Sequence, residues 1–135
     1  MRLNDITANL PILFSAVLVS ILFIQSGLDK VLDWKGNLEW LTGHFSKTFL
    51  AGTVPIMLAT ITVMELATGF LSLAGIVYFF AVGSLVCIFY ASVVGAASIT
   101  ALFFGQRIAK DYAGAAVLIP YFILLAALMY LTRPI

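Results

Sequence analysis

Apolar residues fill almost the whole chain, in long runs interrupted by two short charged segments. The first run, "LPILFSAVLVSILFIQSGL", covers residues 10–28 and opens with Pro11, a residue suited to a helix's first turn. The stretch 54–104 is too long for one crossing, because at ~1.5 Å per residue it would overrun a hydrocarbon core of ~30 Å. It is expected to fold back as two spans, 54–74 and 76–104, with Gly75 as the pivot and Gly69 as the second candidate. No charge marks that turn, so it should be very short. The last run, "YAGAAVLIPYFILLAALMYLT", covers residues 112–132 and carries Pro120 as an expected kink. The pattern predicts an all-α fold: one four-helix transmembrane bundle in a single domain.

Between the first two runs lies "DKVLDWKGNLEWLTGHFSKTF". Val31, Trp34, Leu38, Leu41 and Phe45 recur at alternating spacings of three and four, which draws a single apolar stripe. Lys30, Asp33, Asn37 and Lys47 take the other faces. Two tryptophans and balanced charge predict a short amphipathic helix lying at the membrane interface, broken or shortened by Gly36 and Gly43. An irregular loop is the alternative.

Composition agrees with lipid as the solvent. The 135 residues are 63% hydrophobic and 10% charged, whereas a soluble surface needs roughly 25–35% charged side chains. The lipid bilayer is therefore the first expected partner. Scattered basic residues exclude the patch of a nucleic-acid binder. The first run is too long for the apolar region of a signal peptide and no A-x-A site follows, so it is read as a span. Four spans place both termini on one side. The two charged loops hold Lys30, Lys35, Lys47, Arg107 and Lys110 against Arg2 and Arg133 at the termini. The positive-inside rule then puts the loops in the cytoplasm and the termini outside. A multi-pass position in a bacterial cytoplasmic membrane is expected.

Candidate chemistry is sparse. The one histidine, His44, cannot supply both axial ligands of a membrane haem and reads as a surface residue, and the one cysteine, Cys87, has no partner thiol. No nucleotide-binding glycine motif is present, and no metal ligand set is evident. The chain is not expected to act as an enzyme in isolation or to hold a cofactor through any evident motif.

What stands out is Glu65, the sole charged residue between Phe49 and Gly105. Thr62, Gly69 and Ser72 share its helix face, with Thr68 beside them, and such small and hydroxyl residues mark where another helix approaches. Glu65 is either a packing residue bonded to a neighbouring helix or the polar group of a cavity. Counting from the loop end places it ~16 Å deep, near the midplane. Ser20 and Tyr121 lie at similar depth, while Gln25 and Lys30 sit shallower and Gln106, Arg107 and Asp111 cluster at the same surface. A polar funnel from the loops toward Glu65 is geometrically feasible. Lys30 counts as too shallow to reach fully, so a neutral or hydrogen-bond-sharing Glu65 is expected from its desolvation. Ala91, Gly95 and Ser98 form a small-residue stripe in the third span, suited to tight helix packing.

Three segments, "FIQSGLDKVLDW", "MELATGFLSLAG" and "FFGQRIAKDYAGAA", in this order and spacing, resemble the DoxX family of small four-span membrane proteins. Gly27 and Lys30 look like that family's ending of span one, Glu65 and Gly69 like its intramembrane glutamate followed by small residues. Gly105, Gln106, Asp111 and Gly114 resemble a version of its third motif. The resemblance implies four spans and a link to membrane redox chemistry, since the family name comes from subunits of a thiosulfate:quinone oxidoreductase. Two functions follow as expectations. One is a non-catalytic accessory subunit of a membrane complex, docking a protein partner. The other is a quinone-binding oxidoreductase subunit with a pocket around Glu65 and nearby aromatics. The site candidates are Glu65, Gln25, Lys30, Tyr121, Gln106 and Asp111, and the packing glycines are Gly27, Gly69, Gly95 and Gly114.

Overall fold

A computed structural model describes residues 3–134; Arg2, counted in the charge comparison above, lies outside them. The described residues form six α-helices and one short 3₁₀ turn, without strands. They are α1 (Leu3–Ala8), α2 (Leu10–Leu32), α3 (Trp34–His44), α4 (Val54–Val82), α5 (Val86–Ile108) and α6 (Tyr112–Thr132), with the 3₁₀ turn Ala51–Thr53 leading into α4. Helices α2, α4, α5 and α6 are each long and apolar enough to cross a bilayer. The chain is a multi-pass integral membrane protein built as an all-α four-helix bundle.

The fold-back falls at a different place from the one the sequence suggests. Helix α4 runs unbroken through Gly69 and Gly75 to Val82, and the chain reverses at Gly83, whose φ of 77° is the left-handed region. A glycine adopts that conformation without the clash a Cβ would bring. The Gly83 N–H closes the helix on the Phe79 carbonyl at 2.7 Å. Gly75 is instead a point of close approach between α4 and α5. A Cβ there would stand 2.8 Å from the Ile88 backbone nitrogen. The second and third spans are therefore Val54–Val82 and Val86–Ile108, correcting 54–74 and 76–104.

Small residues set the helix register. A Cβ on Gly69 would lie 2.7 Å from the Ile24 nitrogen, and one on Gly27 would lie 2.6 Å from the Leu66 side chain. Both positions bring α2 and α4 into backbone contact, and Ser72 adds a bond from its hydroxyl to the Ala16 carbonyl at 2.8 Å. Gly95 makes room on α5 for Thr68 of α4 and Leu125 of α6. Gly114 has a different role from the packing one expected of it. Its neighbour is the Asp111 carboxylate, which accepts the Gly114 N–H at 2.9 Å and caps α6.

Packing runs in sequence order, α2 on α4, α4 on α5 and α5 on α6, with only a light contact closing the ring between α6 and α2. The interior holds Ala16, Val19 and Phe23 of α2, Phe79 of α4, Ile88 and Ile99 of α5, and Leu125 and Leu128 of α6. Pro120 sits inside α6 without ending it.

The loop between α2 and α4 does contain the expected helix, over Trp34–His44. Gly36 lies within it and does not break it, and Gly43 falls in its last turn. Along the stripe, Leu38 and Leu41 are half-buried and Phe45 is buried, while Val31 and Trp34 are exposed. Asn37 donates to the Asp33 carbonyl at 2.8 Å and the Asp29 carbonyl at 3.3 Å, which stitches the corner between α2 and α3.

Candidate functional site

The inward face of α4 carries Thr62, Glu65, Thr68 and Ser72, all buried. Thr62 and Thr68 spend their hydroxyls on the carbonyls one turn back, at 2.7 Å each. Glu65 finds its partner on α2. The Lys30 ammonium lies 3.1 Å from Oε1 and 3.2 Å from Oε2. It also donates to the Ser26 hydroxyl at 3.0 Å. An ammonium has three protons, and these three oxygens can take them all.

Lys30 therefore reaches Glu65, against the expectation that it sits too shallow, and of the two states expected for Glu65 the structure shows the shared hydrogen bond. The cause is helix offset. Gly27 meets Leu66 and Ile24 meets Gly69, so the antiparallel register carries Leu32, the end of α2, level with Ile61. Helix α4 begins at Val54, seven residues further out, or ~10 Å. Depth counted from the two helix ends assumed that they are level. Side-chain direction helps as well: Cβ bonds tilt toward each helix's N-terminus, so in an antiparallel pair Lys30 leans inward and Glu65 leans outward. A buried ion pair is worth little net if intact, but removing one partner strands the other charge.

The α4 overhang forms a cavity of about 110 Å³ with α3 and α5. Leu41 and Phe45 of α3, Met57 and Ile61 of α4, and Leu102 of α5 give it apolar walls. Lys30 and Gln106 are its polar lining residues, and Glu65 is not part of the wall. The space between the loops and Glu65 is thus mainly apolar, in place of the polar funnel expected.

Above the cavity, α3 is pinned to the last turn of α5 and to the loop that follows it. With His44 Nε2 as donor, its N–H reaches the Gln106 side-chain oxygen over 2.8 Å, and the Asp111 carboxylate lies 3.7 Å from the same nitrogen. Trp40 stacks on the imidazole with ring centres 4.5 Å apart. Arg107 lies over the Tyr112 ring at 4.5 Å. The loop itself ends α5 in a Schellman motif. Asp111 N–H bonds the Gln106 carbonyl at 2.9 Å and Lys110 N–H the Arg107 carbonyl at 3.1 Å, with Lys110 at φ 61°.

The candidates thus divide. Glu65 and Lys30 come together, and Gln106 and Asp111 join through His44. Gln25 is exposed in an apolar groove between α2 and α4, outside the polar core. Tyr121 is half-buried against the apolar core, and no hydrogen bond joins it to Glu65 among the described residues. Two contributors escape a reading by residue type. His44 looked like a surface residue, although its position three after Leu41 puts it near the buried stripe. Ser26 lies four before Lys30, one turn back on the same face. Ser98 is also notable: its buried hydroxyl has no hydrogen-bond partner. Gly75 meets Ile88 and Thr68 meets Gly95, a register that carries Ser98 level with Glu65. Among the described residues no group of three His, Cys, Asp or Glu side chains is placed to hold a metal.

Comparison of the chain with protein-family models, with curated proteins and with solved structures gives no match.

Proposed function

We propose that this protein is a DoxX-like, non-catalytic subunit of a membrane complex. The supporting observation is the Lys30–Glu65 pair. The one buried carboxylate among the described residues is held by the chain's own ammonium and stands outside the cavity wall. That arrangement suits a residue that ties α2 to α4 better than one that exchanges protons with a substrate. The outer flank of α6, with Val117, Ile123 and Tyr130 exposed, offers an apolar surface on which a partner's helix or lipid can lie.

Affinity purification of the tagged chain in mild detergent tests the proposal, with partners identified by mass spectrometry and lipids extracted in parallel. A stoichiometric protein partner supports the subunit reading. If that partner carries a redox group and quinone co-extracts, the oxidoreductase-subunit alternative gains. A chain that runs alone at monomer mass while holding stoichiometric quinone would sink the subunit reading.

A further inference from the structure

The cavity beneath α3 has features that a structural tie does not explain. Its volume, about 110 Å³, is somewhat below that of the ~150 Å³ apolar cavity known to take benzene. Ala101 on its wall is exposed, so the cavity opens outward. That opening lies seven residues inside the end of α5 at Ile108, ~10 Å into the span, where lipid surrounds the helix. Entry from the membrane selects a membrane-soluble molecule.

Its charge preference follows from the two polar ends. At the inner end the Lys30 protons already have Glu65 and Ser26 as acceptors. At the outer end Gln106 gives its oxygen to His44, which leaves the amide N–H groups without a protein partner among the described residues. A carboxylate lies near each end, Glu65 beside Lys30 and Asp111 beside His44. An anion would find the Lys30 protons already taken and the Asp111 carboxylate beyond the outer end, and a cation would enter apolar walls next to an ammonium. An uncharged molecule meets neither cost.

We infer that the cavity lined by Leu41, Phe45, Ile61, Leu102 and Gln106 is a binding site for a small uncharged membrane-soluble molecule, or the end of a larger one, whose hydrogen-bond acceptor takes the free Gln106 N–H. The site belongs to this chain alone and does not depend on the proposed partner.

The test uses the full chain in nanodiscs with labelled Ile and Leu methyl groups, titrated with cyclopentanone and observed by NMR. Cyclopentanone shifts the Ile61 and Leu102 methyls saturably, while Ile123, exposed on α6, follows only partition into lipid. Methylcyclopentane and cyclopentanecarboxylate, one without an acceptor and the other an anion, bind more weakly. Gln106→Leu weakens cyclopentanone about fivefold, the equivalent of one hydrogen bond, and leaves methylcyclopentane unchanged. Ala101→Phe, which narrows the opening, reduces the Ile61 response; should that variant misfold, Gln106→Leu alone decides. A lipid ester carries the same acceptor chemistry. If it fills the site, Ile61 and Leu102 shift between ester-linked and ether-linked nanodiscs without added solute, and if not, the occupant is a free solute. Equal binding of ketone and hydrocarbon, carboxylate binding as tight as the ketone's, or Ile61 moving in parallel with Ile123 overturns the inference.

Discussion

Breaking the Lys30–Glu65 pair from its two sides should give unequal losses. Glu65 is 1% exposed and faces α2, so removing its partner leaves a carboxyl with nowhere to turn. Lys30, at 18% side-chain exposure and two residues from the end of α2, has a flexible stem that can carry its ammonium toward the surface. Lys30→Met should therefore cost about 3–5 kcal/mol, the range for stranding one member of a buried pair. Glu65→Gln keeps the shape and an acceptor for Lys30. It should cost about 1–2 kcal/mol, part of the value of a hydrogen bond to a charged group. The double variant Lys30→Met/Glu65→Gln removes both charges and should recover most of the loss, leaving a coupling of about 2 kcal/mol or more. Reversible unfolding in mixed detergent micelles, followed by circular dichroism, measures all four proteins. Additive single losses, or a Lys30→Met cost below that of Glu65→Gln, would refute the reasoning.

Four further outcomes are expected. Gly69→Ala should destabilise by about 1–3 kcal/mol through overpacking, because its Cβ would lie 2.7 Å from the Ile24 backbone nitrogen; melting temperature reads it, with Gly43→Ala, which has nothing within 4 Å, as the harmless control. Gly83→Ala should cost about 1–2 kcal/mol for a side chain in the left-handed region, and Lys110→Gly should be stabilising for the same reason, since exposed Lys110 holds φ 61°; both are checked in the same unfolding assay. His44→Ala should loosen α3 without unfolding the spans, seen as faster amide exchange across Trp34–His44 and at most the last turn of α5, whereas spreading of that exchange further along α5 would contradict a local pin. Reporter fusions to the C-terminus should be active only outside the cytoplasm, following the loop excess of Lys and Arg; the reverse result would invert the orientation and keep the four spans.

Hydropathy alone determined the fold class, since only helices and closed barrels satisfy the backbone across lipid, and apolar runs this long and continuous lack the alternation of barrel strands. It also placed α2 and α6 within a few residues and announced α3 from the spacing of Leu38, Leu41 and Phe45. Sequence further put Thr62, Glu65 and Ser72 on one face, because helical periodicity is a local property. The hairpin between α4 and α5 was not legible in the same way. Gly69, Gly75 and Gly83 are the same residue in equally apolar surroundings, and only tertiary packing separates them. Two let a neighbouring helix approach, and the third takes a positive φ. The partner of Glu65 was hidden for a related reason. Depth along one helix can be counted from sequence, but the offset between two helices is set where Gly27 and Gly69 let their backbones meet. That offset of about two turns brings Lys30 to Glu65 and leaves the overhang of α4 to form a cavity with α3 and α5.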